Sequence, residues 1–169
     1  LEDAKKRINK KTKVIMPVHY ASNAQEMKKV YRFAKKHQLR VVEDAAHSFG
    51  SFNGNKRVGQ IGDVVCFSFD GIKNITSGEG GAILTSDKSL ISKLNDIRLL
   101  GVKGDSYKRY SKSRSWNFDV QEQGWRYHLS DVLAAIGRTQ LRKVKSFQEK
   151  RKRIVNFYTV SYTHLRAHE

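Results

Sequence analysis

Phe67-Ser68-Phe69-Asp70-Gly71-Ile72-Lys73-Asn74-Ile75-Thr76-Ser77-Gly78-Glu79-Gly80-Gly81 is the stretch whose reading decides the fold. An apolar β-type run stops at a single lysine, and a glycine-rich turn follows. Lys73 is the only cation between Arg57 and Lys88, in a chain with 33 lysines and arginines. A lysine set alone beside an apolar strand is poorly solvated. That favours the neutral amine, the form that attacks carbonyl carbons in Schiff-base chemistry. The same position also suits an ordinary loop lysine that lays its stem on apolar surface and keeps its head in water.

Working outward, Leu39-Arg40-Val41-Val42-Glu43-Asp44-Ala45-Ala46-His47-Ser48-Phe49-Gly50 is a short apolar strand that ends in two carboxylates, small residues and a histidine. In open α/β sheets, ligands bind beyond the carboxyl ends of parallel strands. Asp44 and Lys73 each follow an apolar run in that way, so a carboxylate and an amine can meet at one sheet edge and serve a cofactor. The alternative is that Glu43 and Asp44 are solvated strand-end charges, with Asp44 capping a turn.

Strand and helix patterns alternate along the rest of the chain. Residues Leu1–Lys11 read as the end of a helix plus a loop. Val14–Val18 is a short strand with Pro17 near its end. Ser22–Lys36 is a helix, capped by Ser22 or Asn23, with Glu26 in its first turn. Arg40–Glu43 and Val64–Phe69 are strands, Asn53-Gly54 signals a turn between Phe52 and Lys56, and Gly81–Thr85 is a further strand. Asp87–Leu100 is a helix whose apolar face holds Leu90, Ile91, Leu94, Ile97 and Leu100. Residues 101–123 form a polar excursion without period. Ser130 caps a helix carrying Val132, Leu133, Ile136 and Leu141, and a separate helix runs over Lys143–Tyr158. This alternation predicts an α/β fold with a mostly parallel sheet covered on both faces.

Composition narrows the function classes. The formal net charge is +17, which raises nucleic acid or an anionic surface as partners. The cations are spread over helical stretches, however. Lys28, Lys29, Arg32, Lys35 and Lys36 share a segment with Met27, Val30, Tyr31 and Ala34, which reads as a solvated helix face. Lys150-Arg151-Lys152-Arg153 is the densest run, and no nucleic-acid-binding motif accompanies it. A basic surface also suits a substrate bearing a diphosphate. The one cysteine, Cys66, excludes an intrachain disulfide and fits a reducing, cytoplasmic compartment. No apolar stretch reaches the length of a membrane span, and no Cys/His cluster has zinc spacing.

Several motifs in register carry a resemblance. Val42-Glu43-Asp44-Ala45-Ala46-His47, Gly59-Gln60-Ile61-Gly62-Asp63, Phe67-Ser68-Phe69 through Lys73-Asn74, and Gly78-Glu79-Gly80-Gly81 are together similar to the DegT/DnrJ/EryC1/StrS family, from about Thr12 to about Tyr158. These are pyridoxal-phosphate (PLP) sugar aminotransferases. The resemblance implies a three-layer α/β/α architecture, the aspartate-aminotransferase fold, incomplete in this chain. It implies that Lys73 carries the cofactor covalently and moves the substrate proton, that Asp44 pairs with the pyridine nitrogen, and that His47 lies against the cofactor ring. Ser68 is implied as a donor to the cofactor phosphate, Asn74 as an orienting residue of the lysine loop, and Gly78, Gly80 and Gly81 as a turn that lets backbone approach closely.

The segment Gly124-Trp125-Arg126-Tyr127-His128-Leu129-Ser130 departs from the family pattern. Arg126 stands where relatives place an asparagine that reaches the partner subunit's cofactor phosphate, and His128 where they place an arginine. An arginine can serve a phosphate as a charge-assisted donor. The resemblance further implies an amino-acid donor, such as glutamate, a nucleotide-linked keto-deoxy sugar as acceptor, a homodimer at full length, and products used in surface polysaccharide or glycosylated metabolites. A PLP-dependent sugar dehydratase of the same family is the alternative, against which the lysine at position 73 argues; a basic nucleic-acid-binding module is the alternative of another class. Residues 1–158 are expected to be part of the PLP-binding large domain, with family segments missing at both ends. Residues 159–169 are expected to be a non-native tail without regular structure, and the 169-residue chain alone to be inactive.

Overall fold

The structure is a computed structural model, and it describes residues 1–24, 26–103 and 119–166. In chain order the elements are α1 (Glu2–Arg7), β1 (Val14–Ile15), a 3-10 turn (Tyr20–Ser22), α2 (Met27–Lys36), β2 (Arg40–Asp44), β3 (Phe52–Asn53), β4 (Lys56–Arg57), β5 (Val64–Ser68), β6 (Gly81–Thr85), α3 (Lys88–Ile97) and α4 (Asp131–Arg166). Four strands form one sheet in the order β1-β2-β5-β6. β1 and β5 run parallel to β2, and β6 closes the sheet antiparallel to β5. The expected mostly parallel α/β sheet is present.

Strand parity sorts the sheet into two faces. Val42 pairs with Val64, Glu43 with Val65, and Asp44 with Cys66. Val41, Glu43, Val65 and Phe67 therefore share one face, and Asp44, Cys66 and Ser68 share the other. α2 packs on the first face, where Met27, Ala34 and Val41 are buried with Ile15, Val30, Tyr31 and Leu39 around them. Ala45, just past β2, and Val65 and Phe67 of β5 make a second buried cluster with Phe49, Val58 and Phe69. On the other face α3 covers β6, and Ile91, Leu94, Cys66 and Ile83 line a cleft of about 580 Å³. Helices thus cover both faces.

The strands and α3 fall within a few residues of their expected ends, and the differences have local causes. β1 stops at Ile15 because Pro17 offers no N–H to the ladder; its carbonyl accepts from the Asp44 N–H at 2.9 Å, and the pairing resumes as a single bridge between Val18 and Asp44. α3 begins after Asp87, whose carboxylate accepts from the Leu90 N–H. The Asn53-Gly54 signal makes a hairpin in which Asn53 pairs with Lys56 and Gly54 takes φ +62°.

Two helices correct the reading of the sequence. α2 begins at Met27, not Ser22, and Glu26 precedes it in a left-handed conformation with φ +67°. Ser22 lies in the 3-10 turn with φ +68°, too far from Met27 to cap it, and its hydroxyl donates to the carbonyl of His47. The two helices expected over 130–158 are one helix of 36 residues, Asp131–Arg166. Gly137 alone weakens that stretch and no proline interrupts it, so propagation of one backbone bond per residue carries the helix on. It continues through residues 159–166, where no period was read. There the Thr159 and Ser161 hydroxyls donate back to the carbonyls of Val155 and Phe157. Residues 104–118 of the polar excursion, and 167–169, lie outside the described residues.

Candidate active site

The chemistry-bearing residues gather where β1, β2 and β5 end. Asp44 is the last residue of β2 and stands opposite Cys66; Ser68 is the last residue of β5, on the same face. The chain then makes a self-bonded loop. The Asp70 N–H donates to the Ser68 hydroxyl oxygen at 3.3 Å, the Ile72 N–H to the Asp70 carboxylate at 3.1 Å, and the Lys73 N–H to the Asp70 carbonyl at 3.1 Å. Ser77 and Phe69 close it through Ser77 N–H to Phe69 carbonyl (2.9 Å) and Phe69 N–H to Gly80 carbonyl (2.8 Å). Gly78 and Gly80 take φ +87° and +122°, which side-chain-bearing residues rarely adopt. Local hydrogen bonding, not bulk packing, sets where Lys73 stands.

Asn74 ties that loop to the one after β2. Its side-chain amide donates to the carbonyls of His47 (3.0 Å) and Phe49 (3.1 Å). The Ser22 hydroxyl donates to the same His47 carbonyl, so the three loops after β1, β2 and β5 meet there. α4 holds the junction from outside. Gln148 donates to the Gly50 carbonyl at 2.7 Å, and Arg151 to the Asn74 carbonyl at 3.0 Å. Gly137 lets α4 approach Ser77, since a Cβ there would stand 3.3 Å from the serine's own. Asn74 therefore does more than orient its own loop, a role its position beside Lys73 did not reveal.

The backbone of Asp44 is fixed on both sides, with its N–H on the Pro17 carbonyl and its carbonyl receiving the His19 N–H, both at 2.9 Å. Its carboxylate accepts from the Ala46 N–H at 3.1 Å. Asp44 and Lys73 are both half-buried, and among the described residues neither is in an ion pair. Burial, and after it the charge of Asp44, push the Cys66 thiol up from its ordinary range. The His47 ring is half-buried, 6.0 Å from that of Tyr20, a residue that no motif singles out. The Ser68 hydroxyl accepts one bond and keeps its own hydrogen for another acceptor.

Arg126 stands apart from this group. It is exposed and forms an isolated bridge with Leu99, while Trp125 and Tyr127 donate to the Ile97 and Arg98 carbonyls. Among the described residues no hydrogen bond joins it to Asp44 or Lys73. Its implied partner is the phosphate of a second subunit.

One reading of Glu43 is corrected. It is not a solvated strand-end charge but 3% exposed, on the α2 face. Tyr31 donates to it at 2.6 Å, and His19 Nε2 lies 2.7 Å from its other oxygen. Burial and this carboxylate push the Tyr31 hydroxyl well above its usual range. The period-two alternation from Val41 to Glu43 was the signal that could have found it. At the opposite strand ends Arg40 grips Asp63 through two nitrogens, at 3.0 and 2.5 Å, and holds that carboxyl below the usual range.

Comparison with known proteins gives this arrangement a setting. The family model of the DegT/DnrJ/EryC1/StrS aminotransferase family matches residues 1–168. The UDP-4-amino-4,6-dideoxy-N-acetyl-beta-L-altrosamine transaminase of Campylobacter jejuni is 39% identical over 144 residues, 85% of this chain and 36% of that protein. Helicobacter pylori PseC, an aminotransferase involved in the biosynthesis of pseudoaminic acid, superposes with a TM-score of 0.73 at 34% identity, over 83% of this chain and 36% of that one. The PMP form of Spr1654 from Streptococcus pneumoniae superposes with a TM-score of 0.82 at 25% identity, over 95% and 45%. The chain thus spans less than half the length of each.

The donor set fits the cofactor this likeness implies, pyridoxal phosphate. An amine, a carboxylate, a hydroxyl with a hydrogen to give and an imidazole stand on connected strand ends, and the amine and carboxylate have no competing ionic partner among the described residues. With that family's model matched over residues 1–168, the chain belongs to the DegT/DnrJ/EryC1/StrS aminotransferase family.

Proposed function

We propose that this chain is part of a PLP-dependent aminotransferase that moves an amino group, from a donor such as glutamate, to the keto group of a nucleotide-linked deoxy sugar. The observation that carries the reading is the pair Asp44 and Lys73: half-buried, without ionic partners among the described residues, one at the end of β2 and one on the loop that Asn74 ties to the segment after β2. The names of the relatives support the sugar class, since one is a UDP-aminosugar transaminase and another acts in pseudoaminic acid biosynthesis.

The cofactor, when bound, supplies an electron sink for the bond to be broken at the substrate carbon. Lys73 Nζ would hold it covalently and, once displaced by the substrate amine, would carry the proton to and from the substrate carbon. Asp44 would accept a hydrogen bond from the pyridine nitrogen and keep its proton in place. Ser68 would donate its hydroxyl hydrogen to the phosphate, and the His47 ring would pack against the cofactor. Arg126 would serve the phosphate across a homodimer interface. Residues 1–158 belong to the cofactor-binding domain, and the working enzyme is a cytoplasmic homodimer.

The test is to produce the full-length protein and this 169-residue chain side by side. Each is titrated with PLP by absorbance and assayed with glutamate and a nucleotide-linked keto sugar. The reading expects cofactor uptake and transfer from the full-length protein and neither from the chain. A full-length protein that binds duplex DNA in a salt-dependent way and takes up no PLP would overturn it.

A further inference from the structure

The motif Gly59-Gln60-Ile61-Gly62-Asp63 and the buried Glu43 lie on the sheet face opposite Asp44, and the reaction proposed above uses neither. We propose that Glu43, His19 and Tyr31 form a positioning device that fixes Asp44 from behind the sheet. The inference rests on the assignment of Asp44 as the partner of the cofactor nitrogen.

Glu43 has both carboxylate oxygens engaged. Oε1 accepts from the Tyr31 hydroxyl at 2.6 Å, and Oε2 is hydrogen-bonded with His19 Nε2 at 2.7 Å. Glu43 and His19 are 3% and 2% exposed, so each would be costly to bury without the other. Tyr31 in turn accepts from the Asp63 N–H at 2.8 Å, which links α2 to the Gly62-Asp63 turn. Gly62 is the lid on this cluster. Its φ is +152°, and a Cβ there would stand 2.8 Å from Glu43 Oε1 and 2.6 Å from a Val65 methyl. A glycine at this point of the motif is what leaves room for the buried carboxylate.

The connection to Asp44 runs through His19. Its ring is anchored on Glu43, and its backbone N–H donates to the Asp44 carbonyl at 2.9 Å. Two residues earlier the Pro17 carbonyl receives the Asp44 N–H. Residues 17–19 and 43–44 are therefore closed into a ring by two backbone bonds and one side-chain bond. This is the only continuation of β1 pairing past Pro17 among the described residues, a single bridge of Val18 to Asp44. Without the His19–Glu43 contact residues 17–19 lose their side-chain anchor, and the β1 side of the Asp44 strand end is held by its two backbone bonds alone, while the β5 pairing remains. A displacement of this kind is felt at the reacting centre even though no member of the device touches it.

The experiment uses the full-length protein and a double-mutant cycle. His19→Ala and Glu43→Ala are each made alone and on the Asp44→Asn background. PLP affinity, the absorbance maximum of the bound cofactor and kcat are measured, with thermal unfolding as a check on folding. Each single variant should weaken PLP binding, shift the maximum and lower kcat by about a hundredfold. On the Asp44→Asn background the same changes should add little. Glu43→Gln keeps the acceptor for Tyr31 but turns an N–H toward His19 Nε2, which can accept it only as the Nδ1–H tautomer, so its effect should fall between the parent protein and Glu43→Ala. Tyr31→Phe, which deletes one hydroxyl, is read in the same two backgrounds and carries the test should the alanine variants fail to fold. Effects that multiply fully with Asp44→Asn would overturn the inference while leaving the reading of the site standing. A normal cofactor spectrum and rate in Asp44→Asn alone would instead sink that reading.

Discussion

The side-chain amide of Asn74 donates to the carbonyl of His47 at 3.0 Å, and that bond joins the loop carrying Lys73 to the loop that follows Asp44. A second bond from the same amide, to Phe49, uses its other hydrogen. Asn74→Ala should leave the Phe49 carbonyl short of a donor and the His47 carbonyl with Ser22 alone, and cost about 1–3 kcal/mol. Asn74→Asp should be worse, because it sets a carboxylate against both carbonyls. Urea unfolding of the two variants checks the order. Equal stability of Asn74→Asp and the parent chain would show that the junction is held by something else.

Asp44→Asn should preserve the fold and lower the transfer rate of the full-length protein by about a hundred- to a thousandfold, because the ring nitrogen loses its anionic partner as charge develops. The variant should also change Cys66. Burial and the Asp44 charge both raise that thiol, and the substitution removes the second cause only. The pKa then falls toward the ordinary value, the thiolate fraction near pH 8 grows, and alkylation by iodoacetamide speeds up. An unchanged or slower alkylation rate would mean that the Asp44 charge does not reach Cys66.

Arg40 and Asp63 predict an acid-sensitive increment of stability. Asp63 accepts from Arg40 and from the Val41 N–H, and its carboxyl lies below its ordinary value. A group depressed in the folded state stabilises above its unfolded pKa, about 3.9, and that contribution fades as pH drops through the lower folded value. The pair is partly exposed, so solvent screens the ionic share and keeps it small. Asp63→Asn should therefore cost most near neutral pH and least at about pH 2, followed by urea unfolding across that range. A penalty independent of pH would assign Asp63 a purely geometric role.

Gly62→Ala should destabilise the chain by about 1–3 kcal/mol, through overpacking against Val65 and Glu43 at an unfavourable φ. Gly54→Ala is the control. Its φ is also positive, at +62°, but nothing stands within 4 Å of the added carbon. The smaller loss belongs to Gly54, and the reverse order would contradict the lid assigned to Gly62.

Much of this was legible in the sequence because the signals are local. Periods of two and of three to four place β2, β5, β6 and α3 within a few residues, and the apolar run before Lys73 marks a strand end correctly. Asp44, His47, Ser68 and Lys73 fall at one end of one sheet, as the order of motifs implied. What stayed hidden depends on distant partners. Ser22 is a good helix cap by type, yet its hydroxyl is taken by His47, and α2 starts five residues later. Glu43 and Asp44 are adjacent carboxylates that look alike in sequence, and only the strand's parity sends one into the core beside His19. Leu141 and Lys143 suggested a boundary, but no residue there breaks a helix, and α4 runs through.

The most direct test of the central claim is the site of cofactor attachment. The full-length protein is loaded with PLP, reduced with borohydride and digested, and the modified peptide is identified by mass spectrometry. The account predicts that the reduced cofactor is on Lys73 and that Lys73→Ala retains none. Recovery of the label on any other lysine would contradict it.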